Sequence, residues 1–546
     1  MRRYQWASRT PRRAAGVLAA TAALTAGAGA IASPPAMAAQ QGGPPEPGVR
    51  QVATGPGRSL GEPAAAQDGA VTAATATSFR TAGAQAEVWT RRADGTAWRR
   101  AGAVLPAGFG SSYDPAAAAA PGGPLLVVAG TAPPGGECIT NGSVAIASVN
   151  SQGKLGPARL VSDQRGTGSF DDRPMVAVGQ HGTVWVAWSQ GPDADACQDV
   201  GNGDRIEVAV SRDGGRTFGH PVAMPPDGGH SAFGVRLALL PGGQVAVSWT
   251  ETMESGDQAV LVSVLGAGGQ PGQPTVALRG DGPPLVLPGA SFYDFRAGDI
   301  AALPGGKLEV AAPFWVSGRS VIKVAAGMPG GRWQETDLNP PAGTDLLLPA
   351  LGVLSPGLVR LVCAVHTRLG DRLGYDWGDV TLGGQGPSVS PPGLTALTAA
   401  PPGPGFFEIG EELALARTPG GLLTAVVVAG RDGATLETAM FSTPPAATVP
   451  PGRTGTPATA PGTPAASAHA APGTSAARAA NGRPPGFAVT AALLGAAALC
   501  CAAAAGALVI RRRRPGAGPP TRRHLPRHSF GRTHPRWSWR GSRRSR

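Results

Sequence analysis

The chain repeats a hairpin pattern in which a turn of small residues is followed by alternating apolar and polar positions. Alternation with a period of two predicts β-strands. The spacing between successive hairpins is about sixty residues, and a repeat built from four short strands is typical of one blade of a β-propeller. The six hairpins begin at Pro121, Gln180, Pro241, Pro304, Ser355 and Pro419.

The number of blades depends on two incomplete repeats at the ends of this region. The segment from Ala86 resembles a third and a fourth strand, whereas the repeat after Glu408 shows clear first and second strands only. Joining the two gives one blade that is completed by both ends of the chain. We therefore predict an all-β, six-bladed propeller over residues 74–443, with seven blades as the alternative if both end pieces are complete.

The segments that flank the propeller differ from it in composition. Residues 1–38 combine five arginines with an apolar run and a small-residue exit, which predicts a signal peptide for Sec or twin-arginine export. Residues 39–73 are rich in Gly, Pro, Ala and Gln and are expected to form a flexible segment before the propeller. Residues 444–485 are rich in Pro, Ala and Thr and predict a disordered stalk, because they contain too few large apolar side chains for a core.

A second apolar segment, residues 486–510, is long enough to cross a bilayer as a helix. Four arginines at 511–514 follow it, and positive charge marks the cytoplasmic side. We therefore predict a single-pass protein of the cell membrane with an extracellular propeller and a basic cytoplasmic tail, residues 511–546. That tail holds 13 arginines and no acid, and the signal segment holds five arginines, so the middle of the chain has 29 basic residues against 35 acidic ones. No nucleic-acid binding is therefore expected of the propeller.

The octapeptide SRDGGRTF, residues 211–218, carries a resemblance to a known family. It is similar to the Asp-box, S-x-D-x-G-x-T-[WF], of the sialidase-like (BNR repeat) propellers. The resemblance implies a structural turn between the third and fourth strands of a blade, in which the aspartate accepts backbone hydrogen bonds. That family includes glycoside hydrolases and proteins without known catalysis, so the fold does not decide the function. The matching positions are Ser211, Asp213, Gly215, Thr217 and Phe218.

The two faces of a propeller carry different connections. The first-to-second and third-to-fourth turns share one face, which we call the glycine-turn face. The second-to-third loops and the blade-to-blade connections share the other, the loop face, where variable segments are expected to surround a ligand site at the central channel. Candidate ligand-binding residues at the starts of blades or on a variable loop are Tyr113, Asp114, Asp171, Arg173, Asp294, Arg296 and Trp377, with Arg236, Glu408 and Glu411 as additions.

The resemblance implies what a sialidase would require: an arginine cluster for the substrate carboxylate, a tyrosine nucleophile activated by a glutamate, and an acid/base aspartate. Candidates for catalytic roles are Tyr293, Tyr375 and Asp172. Each tyrosine beyond the signal peptide precedes an aspartate, which also fits a capped turn, and no FRIP-type motif is present. We therefore expect non-catalytic binding of an extracellular glycan or protein, with an anchored exo-glycosidase of sialidase type and a cell-envelope scaffold as alternatives.

Two variable loops contain residues that could form a disulfide or bind a metal ion. Cys138 and Cys197 occupy equivalent places in adjacent repeats, and an oxidising compartment would favour a disulfide between them over two free thiols. Asp193, Asp195 and Asp199 place hard oxygen ligands close together, as calcium prefers, although their spacing matches no EF-hand. The sequence therefore predicts no cofactor or metal, with calcium at this loop as the alternative.

Overall fold

The computed structural model describes residues 48–442. Gaps fall at 57–58, 81–82, 121, 135–140, 193–204, 227–230, 254, 267, 285–286, 289–296, 384–385, 390–392, 400–412 and 431–432. The described residues form seven antiparallel sheets, and each sheet is one blade of a β-propeller. Within this part of the chain, no helix is long and apolar enough to cross a membrane.

Each of the first three blades is a four-stranded meander. Blade 1 contains β2 (Ser59–Gln67), β3 (Val71–Arg80), β4 (Gly83–Arg92) and β5 (Arg99–Ala103). Blade 2 contains β6 (Ser111–Ala119), β7 (Leu125–Ala132), β8 (Ser143–Val149) and β9 (Arg159–Leu160). Blade 3 contains β10 (Ser169–Val178), β11 (Val184–Pro192), β12 (Arg205–Ser211) and β13 (Val222–Ala223).

The next three blades repeat this plan. Blade 4 contains β14 (Ser231–Leu239), β15 (Val245–Thr252), β16 (Asp257–Leu265) and β17 (Thr275–Asp281). Blade 5 contains β18 (Asp299–Ala302), β19 (Leu308–Val316), β20 (Arg319–Gly327) and β21 (Trp333–Leu338). Blade 6 contains β22 (Thr344–Ser355), β23 (Leu358–Thr367), β24 (Arg372–Gly383), β25 (Gly386–Val389) and β26 (Gly393–Ala399), of which the last two both pair with β24.

Blade 7 is built from both ends of the described chain. Its inner strands are β27 (Ala416–Thr418), β28 (Gly421–Gly430) and β29 (Gly433–Ser442), and its outer strand is the N-terminal β1 (Gly48–Pro56). Gly48 pairs with Met440 in an antiparallel register. Since β29 runs from the loop face to the glycine-turn face, the described chain both begins and ends at the glycine-turn face.

The expectation of six blades is corrected to the seven that the alternative allowed. Blade 1 has its own first and second strands, β2 and β3, and β1 completes blade 7. Strands β1 and β2 lie inside residues 39–73, where the composition predicted a flexible segment. These strands are rich in Ala, Gly and Gln, so their alternation of apolar and polar residues is weak, although Leu60, Ala65 and Ala66 are buried.

Short turns close the glycine-turn face. Three of them are single 3₁₀ turns, at Gln180–Gly182, Pro241–Gly243 and Pro304–Gly306, and each has a central residue with a positive φ angle. Neighbouring blades pack through alternating faces of their strands, and the largest buried side chains include Trp185, Trp188 and Trp249. This packing fixes the innermost strands of the blades around a central channel.

Candidate functional site

Five of the innermost strands contain a β-bulge, and in each strand the bulge lies towards the loop face. Their register with the second strand shifts at Gly61/Ala64, Tyr113/Ala116, Asp172/Met175, Phe233/Arg236 and Leu347/Ala350. A β-bulge of this kind redirects side chains, and it tolerates proline because it leaves an N–H position unpaired. The residue with a positive φ angle in each bulge is Glu62, Asp114, Arg173, Gly234 or Leu348, and a proline follows all of them except Gly234.

The bulges of blades 1 and 2 are bonded to each other through a buried glutamate. The Glu62 carboxylate accepts hydrogen bonds from the Thr77 hydroxyl and, at 2.9 Å, from the backbone N–H of Asp114. The same Asp114 N–H lies 3.1 Å from the Thr77 hydroxyl oxygen. Glu62 therefore holds Asp114 in a left-handed backbone conformation that a residue with a Cβ atom rarely adopts.

Three carboxyl groups from consecutive blades meet beside this bond. We call Glu62, Asp114 and Asp172 the acidic cluster. Burial raises the pKa of Asp114 well above its usual range, and the charges of Glu62 and Asp172, together with hydrogen bonds to both, raise it further. The Asp172 side chain is 19% exposed, so the cluster is accessible to solvent on one side.

Two described arginines, in blades 3 and 4, contribute positive charge near the bulges. The Arg173 Nε atom lies 3.8 Å from an Asp172 carboxylate oxygen, and the Arg173 side chain is nearly buried. The Arg236 Nε atom lies 3.8 Å from Asp299 of blade 5, which also accepts a 2.7 Å bond from the Leu351 N–H of blade 6. Burial raises the pKa of Asp299 to about 6. The Arg236 charge and the hydrogen bonds from the backbone N–H groups of Leu351 and Ile300 oppose this increase.

Tyr113 lies in the interface between blades 2 and 3. Its ring stacks on Phe170, with the ring centroids 6.3 Å apart, and Gly130 and Gly142 leave the space that the two rings occupy. Tyr113 is only 4% exposed, and its hydroxyl is buried with no hydrogen-bond partner among the residues that the structure describes. Burial raises the pKa of Tyr113 well above its usual value, and four acidic charges raise it further, namely those of Asp172, Asp114, Asp171 and Glu62.

Asp171 serves the connection between blades 2 and 3. Its carboxylate accepts hydrogen bonds from Gln190 at 2.8 Å and from Gln164 at 3.0 Å, and its backbone N–H donates to the Gly142 carbonyl at 2.9 Å. Burial raises the pKa of Asp171, but these donors oppose the increase. Its carboxylate is thus occupied within the blade interface.

The segment around Tyr375 differs from the expectation. Tyr375 and Trp377 belong to β24, the third strand of blade 6, and not to a variable loop. The Tyr375 hydroxyl donates to the Val427 carbonyl at 3.4 Å, and burial raises its pKa. Trp377 packs edge-on against Phe441 with the centroids 5.6 Å apart. Both side chains are buried in the core between blades 6 and 7, which removes them from the channel site.

The Asp-box has the structural role that the resemblance implied. The Asp213 carboxylate accepts backbone hydrogen bonds from Arg216 and Thr217, both at 2.9 Å, and a 2.6 Å bond from the Thr217 hydroxyl. The Ser211 hydroxyl accepts from the Gly215 N–H at 2.9 Å, and Phe218 packs against the core. The motif lies on the glycine-turn face, far along the strands from the acidic cluster.

Several candidates lie outside the described residues, so the structure does not place them. They are the possible nucleophile Tyr293, the ligand-binding candidates Asp294, Arg296, Glu408 and Glu411, the cysteines Cys138 and Cys197, and the calcium candidates Asp193, Asp195 and Asp199. Among the residues that are described, no group of three or more His, Cys, Asp and Glu side chains could hold a metal ion.

The channel beyond the bulges has a different lining. A cavity of about 660 Å³ runs from this level to the glycine-turn face and is lined by the innermost strands of all seven blades. Small apolar residues dominate it, among them Ala64, Ala118, Ala177 and Ala301. Charged residues line it at both ends: Arg236 and Asp299 at the level of the bulges, and Asp68 and Arg417 towards the glycine-turn face.

Sequence reasoning missed Glu62, because it fell in the segment that composition marked as flexible. A usable signal was present in the dipeptides Glu62-Pro63, Asp114-Pro115, Arg173-Pro174 and Leu348-Pro349, which recur at the blade period early in an innermost strand. Proline inside a strand indicates a bulge.

Comparison with known proteins finds no matching family model and no matching curated protein. Similar solved structures include a polysaccharide lyase described as an ulvan lyase bound to a [GlcA(1-4)Rha3S] ligand. The two sequences are 13% identical. The superposition covers 69% of this chain and 96% of the lyase chain, with a TM-score of 0.44. A Dyadobacter fermentans protein of unknown function is 12% identical over 62% of this chain and 97% of its own, with a TM-score of 0.42. The Trypanosoma rangeli sialidase in complex with the inhibitor DANA is 13% identical over 70% of this chain and 55% of its own, with a TM-score of 0.36. These similarities assign the chain to no family.

Proposed function

We propose that this protein binds an extracellular glycan, without catalysis, at the loop-face end of its central channel. The observation that carries the proposal is the acidic cluster beside Arg173. Three buried or half-buried carboxyl groups from three consecutive blades lie against one another, and crowding such groups costs folding free energy. Groups with strongly shifted pKa values concentrate at functional sites.

The chemistry of this end of the channel suits a ligand with many hydroxyl groups. Carboxylates accept hydrogen bonds from hydroxyls, and a guanidinium donates to hydroxyl oxygens in a fixed geometry. Asp172 is the partly exposed member of the cluster, and Arg173 lies beside it.

A glycan array probed with the purified full chain tests the proposal. We expect binding to a defined subset of glycans, and at least about tenfold weaker binding for Asp172→Asn or Arg173→Gln, since each removes a charged partner. Asp94→Asn is the matched control, because Asp94 is an exposed acid in a third-to-fourth turn on the opposite face, paired with Arg92. Equal binding by all three variants would refute this location of the site.

A glycoside hydrolase is the second candidate, and one observation favours it. Asp114 combines a raised pKa with a neighbouring carboxylate, Asp172, and glycoside hydrolysis uses a protonated carboxyl as the acid and a second carboxylate as base or nucleophile. A panel of fluorogenic glycosides tests this candidate. Turnover that Asp172→Asn abolishes in a folded protein would favour hydrolysis, whereas absence of turnover together with glycan binding would favour recognition alone.

The proposed location is the cell surface. The sequence of residues 1–38 supports export, and the apolar residues 486–510 followed by arginines support a membrane anchor with the tail, residues 511–546, in the cytoplasm. The described chain begins and ends at the glycine-turn face, so neither flanking segment starts beside the proposed site. Cell fractionation should find the full chain with membranes and a chain truncated after residue 485 in the medium. Release of the full chain would contradict the anchor.

A further inference from the structure

The third-to-fourth turns of blades 1, 2 and 3 form a strongly basic surface on the glycine-turn face. With the strand ends beside them, these turns span residues 91–100, 150–159 and 212–220, and we call them the basic arc. They contain eight basic residues and two aspartates, a net charge of +6, whereas the middle of the chain as a whole is net acidic. The basic residues are Arg91, Arg92, Arg99, Arg100, Lys154, Arg159, Arg212 and Arg216.

Hydrogen bonds between neighbouring blades join the three turns into one surface. The Thr90 hydroxyl of blade 1 donates to the Gly153 carbonyl of blade 2 at 2.8 Å. The Arg159 guanidinium of blade 2 donates to the Gly215 carbonyl in the Asp-box of blade 3, also at 2.8 Å. The Asp-box turn is fixed in addition by the hydrogen bonds to Asp213. Because the folded structure already holds the arc in place, little conformational freedom is lost when it binds a partner.

The acids near the arc leave most of its charge uncompensated. Arg92 pairs with Asp94 at 2.7 Å, and both side chains are more than half exposed. Arg100 pairs with the buried Glu87 at 3.1 Å. With Glu87 counted, the basic residues still exceed the acids by five. The members of the arc that are exposed to solvent include Arg92, Arg99, Lys154, Arg212 and Arg216.

A tryptophan and the end of the described chain adjoin the arc, independently of its charge. Trp98 is half-buried in the turn of blade 1, and the Arg91 guanidinium lies 5.4 Å from its ring centroid. Trp98 and Val52 of β1 pack against the same core cluster between blades 7 and 1. Strand β29, which pairs with β1, ends at Ser442, so the chain leaves the propeller on this face, in the blade next to the arc. Tryptophan among basic side chains suits a membrane interface.

We propose that the basic arc docks the propeller on an anionic lipid surface, with the glycine-turn face towards the membrane and the loop face away from it. Each arginine or lysine close to such a surface strengthens binding about fivefold. This inference rests on the proposed membrane anchor and not on the glycan site. The anchor keeps the propeller near lipid, which raises the effective concentration that the arc meets. The loop-face site stays accessible when the arc is docked.

Hydrogen exchange of the full chain in lipid nanodiscs tests the docking. The discs contain either phosphatidylcholine alone or phosphatidylcholine mixed with phosphatidylglycerol, which is anionic. We expect amide exchange across residues 91–100 and 150–159 to be at least about threefold slower on the anionic discs. High salt should remove the difference, because it screens the charges. Residues 368–371, in the loop-face turn between β23 and β24, should exchange equally on both discs.

Paired substitutions separate the arc from surface charge in general. Arg92→Gln combined with Arg99→Gln removes two exposed charges from the arc. We expect the docking equilibrium to weaken by about tenfold or more, seen as loss of the slowed exchange on anionic discs. Arg165→Gln combined with Arg372→Gln is the matched control, since both of these arginines are exposed at the loop face. Both double variants should keep the melting temperature of the wild type, because the side chains are exposed.

The outcomes distinguish this inference from the proposed anchor and from glycan binding. Equal exchange on the two kinds of disc, or equal loss in the loop-face control, would overturn the docking and leave the other two proposals intact. Arc exchange slowed as strongly by soluble polyphosphate, with the chain in neutral discs, would overturn the lipid surface in favour of a soluble polyanion.

Failure of the full chain to enter discs would contradict the anchor. Flotation with preformed vesicles then tests the arc by itself. Flotation with anionic vesicles alone would support the arc as a docking surface, whereas equal flotation with neutral and anionic vesicles would overturn it.

Discussion

The backbone N–H of Asp114 donates a 2.9 Å hydrogen bond to the Glu62 carboxylate across the interface between blades 1 and 2. Glu62 and Asp114 occupy the same position in the bulges of their innermost strands, and both have positive φ angles. The bond therefore connects one bulge to the next at the loop-face end of the channel. It also brings two carboxyl groups together, so the arrangement that supports the backbone at the same time creates the proposed site.

Replacing Glu62 by alanine should destabilise the propeller. The buried Asp114 N–H and the Thr77 hydroxyl lose a charged acceptor, and removing such a partner costs about 2 kcal/mol. Urea denaturation of the two proteins at pH 7 measures this loss. Thr77→Val is the control, because it removes one hydroxyl and leaves the hydrogen bond between Asp114 and Glu62 in place. Its free energy of unfolding should therefore fall by less than that of Glu62→Ala. An equal loss in both variants would contradict the leading role of Glu62.

The N-terminal boundary gives a second prediction. A chain that begins at residue 74, where the sequence alone places the propeller, lacks β1 and β2 and therefore the outer strand of blade 7 and the inner strand of blade 1. We expect it to be aggregated or to lack a cooperative thermal transition, whereas a chain that begins at residue 43 should melt like the full protein. Size-exclusion chromatography and calorimetry measure both properties. Cooperative melting of the shorter chain would show that the ring closes without β1 and β2.

These strands also show how far the sequence predicts the fold. The blades with Val-, Leu- and Trp-rich second strands, such as β11 and β15, were recognisable from alternation alone. Blade 1 was not, because small residues form β2 and much of β3, and their burial depends on neighbouring blades rather than on their own hydrophobicity. A count based on strong hairpins therefore fell one blade short.

The candidate site was predictable in part. Asp114 and Asp172 were identified by their place at the starts of blades, and the structure brings them together. Glu62 was missed with its strand, while Trp377 was misplaced because a stretch with Gly, Tyr, Asp and Trp was interpreted as a loop when it continues β24. Contacts between blades depend on three-dimensional packing, and the pattern of a single strand does not contain them.

Glu309 predicts an unusual pH dependence of stability. Its carboxyl is fully buried on β19, and neither oxygen has a hydrogen-bond partner within the described part of the chain. Burial raises its pKa to about 8, despite the nearby Lys307 charge. Because the folded-state pKa lies above the unfolded value of 4.5, stability is greatest below pH 4.5 and declines as the pH rises through about 8. The decline attributable to Glu309 should be on the order of 5 kcal/mol.

Glu309→Gln should remove this decline, since the amide does not ionise. Free energies of unfolding measured at intervals from pH 5 to pH 8.5 should converge for wild type and variant at low pH and diverge in favour of the variant at high pH. Glu335→Gln is the matched control, because Glu335 is exposed on β21 of the same blade. Parallel profiles for wild type and Glu309→Gln would mean that the buried carboxyl is compensated in solution.

Asp345 predicts the opposite dependence, at acid pH. Burial alone would raise its pKa, but hydrogen bonds from Arg368, His366 and the Ser320 N–H lower it to about 2. The Arg368 bonds are 2.8 and 2.7 Å long, and the Ser320 bond of 2.8 Å joins blade 6 to blade 5. Since the folded-state pKa lies below the unfolded value of 3.8, this stabilisation is present above pH 3.8 and is lost as the pH falls through about 2.

Asp345→Asn should therefore lower the free energy of unfolding by about 2–4 kcal/mol at pH 7, because Arg368 and His366 lose a buried anionic partner. The difference from wild type should shrink at pH 2, where the wild-type carboxylate is itself partly protonated. Asp371→Asn is the control, since Asp371 contacts His366 at 3.1 Å but its side chain is 25% exposed. It should lower the free energy of unfolding by less than Asp345→Asn does. Denaturant titrations at pH 7 and pH 2 measure both effects. A difference that stays constant between the two pH values would indicate that Asp345 contributes through its shape and hydrogen bonding, with its charge playing no part in joining blades 5 and 6.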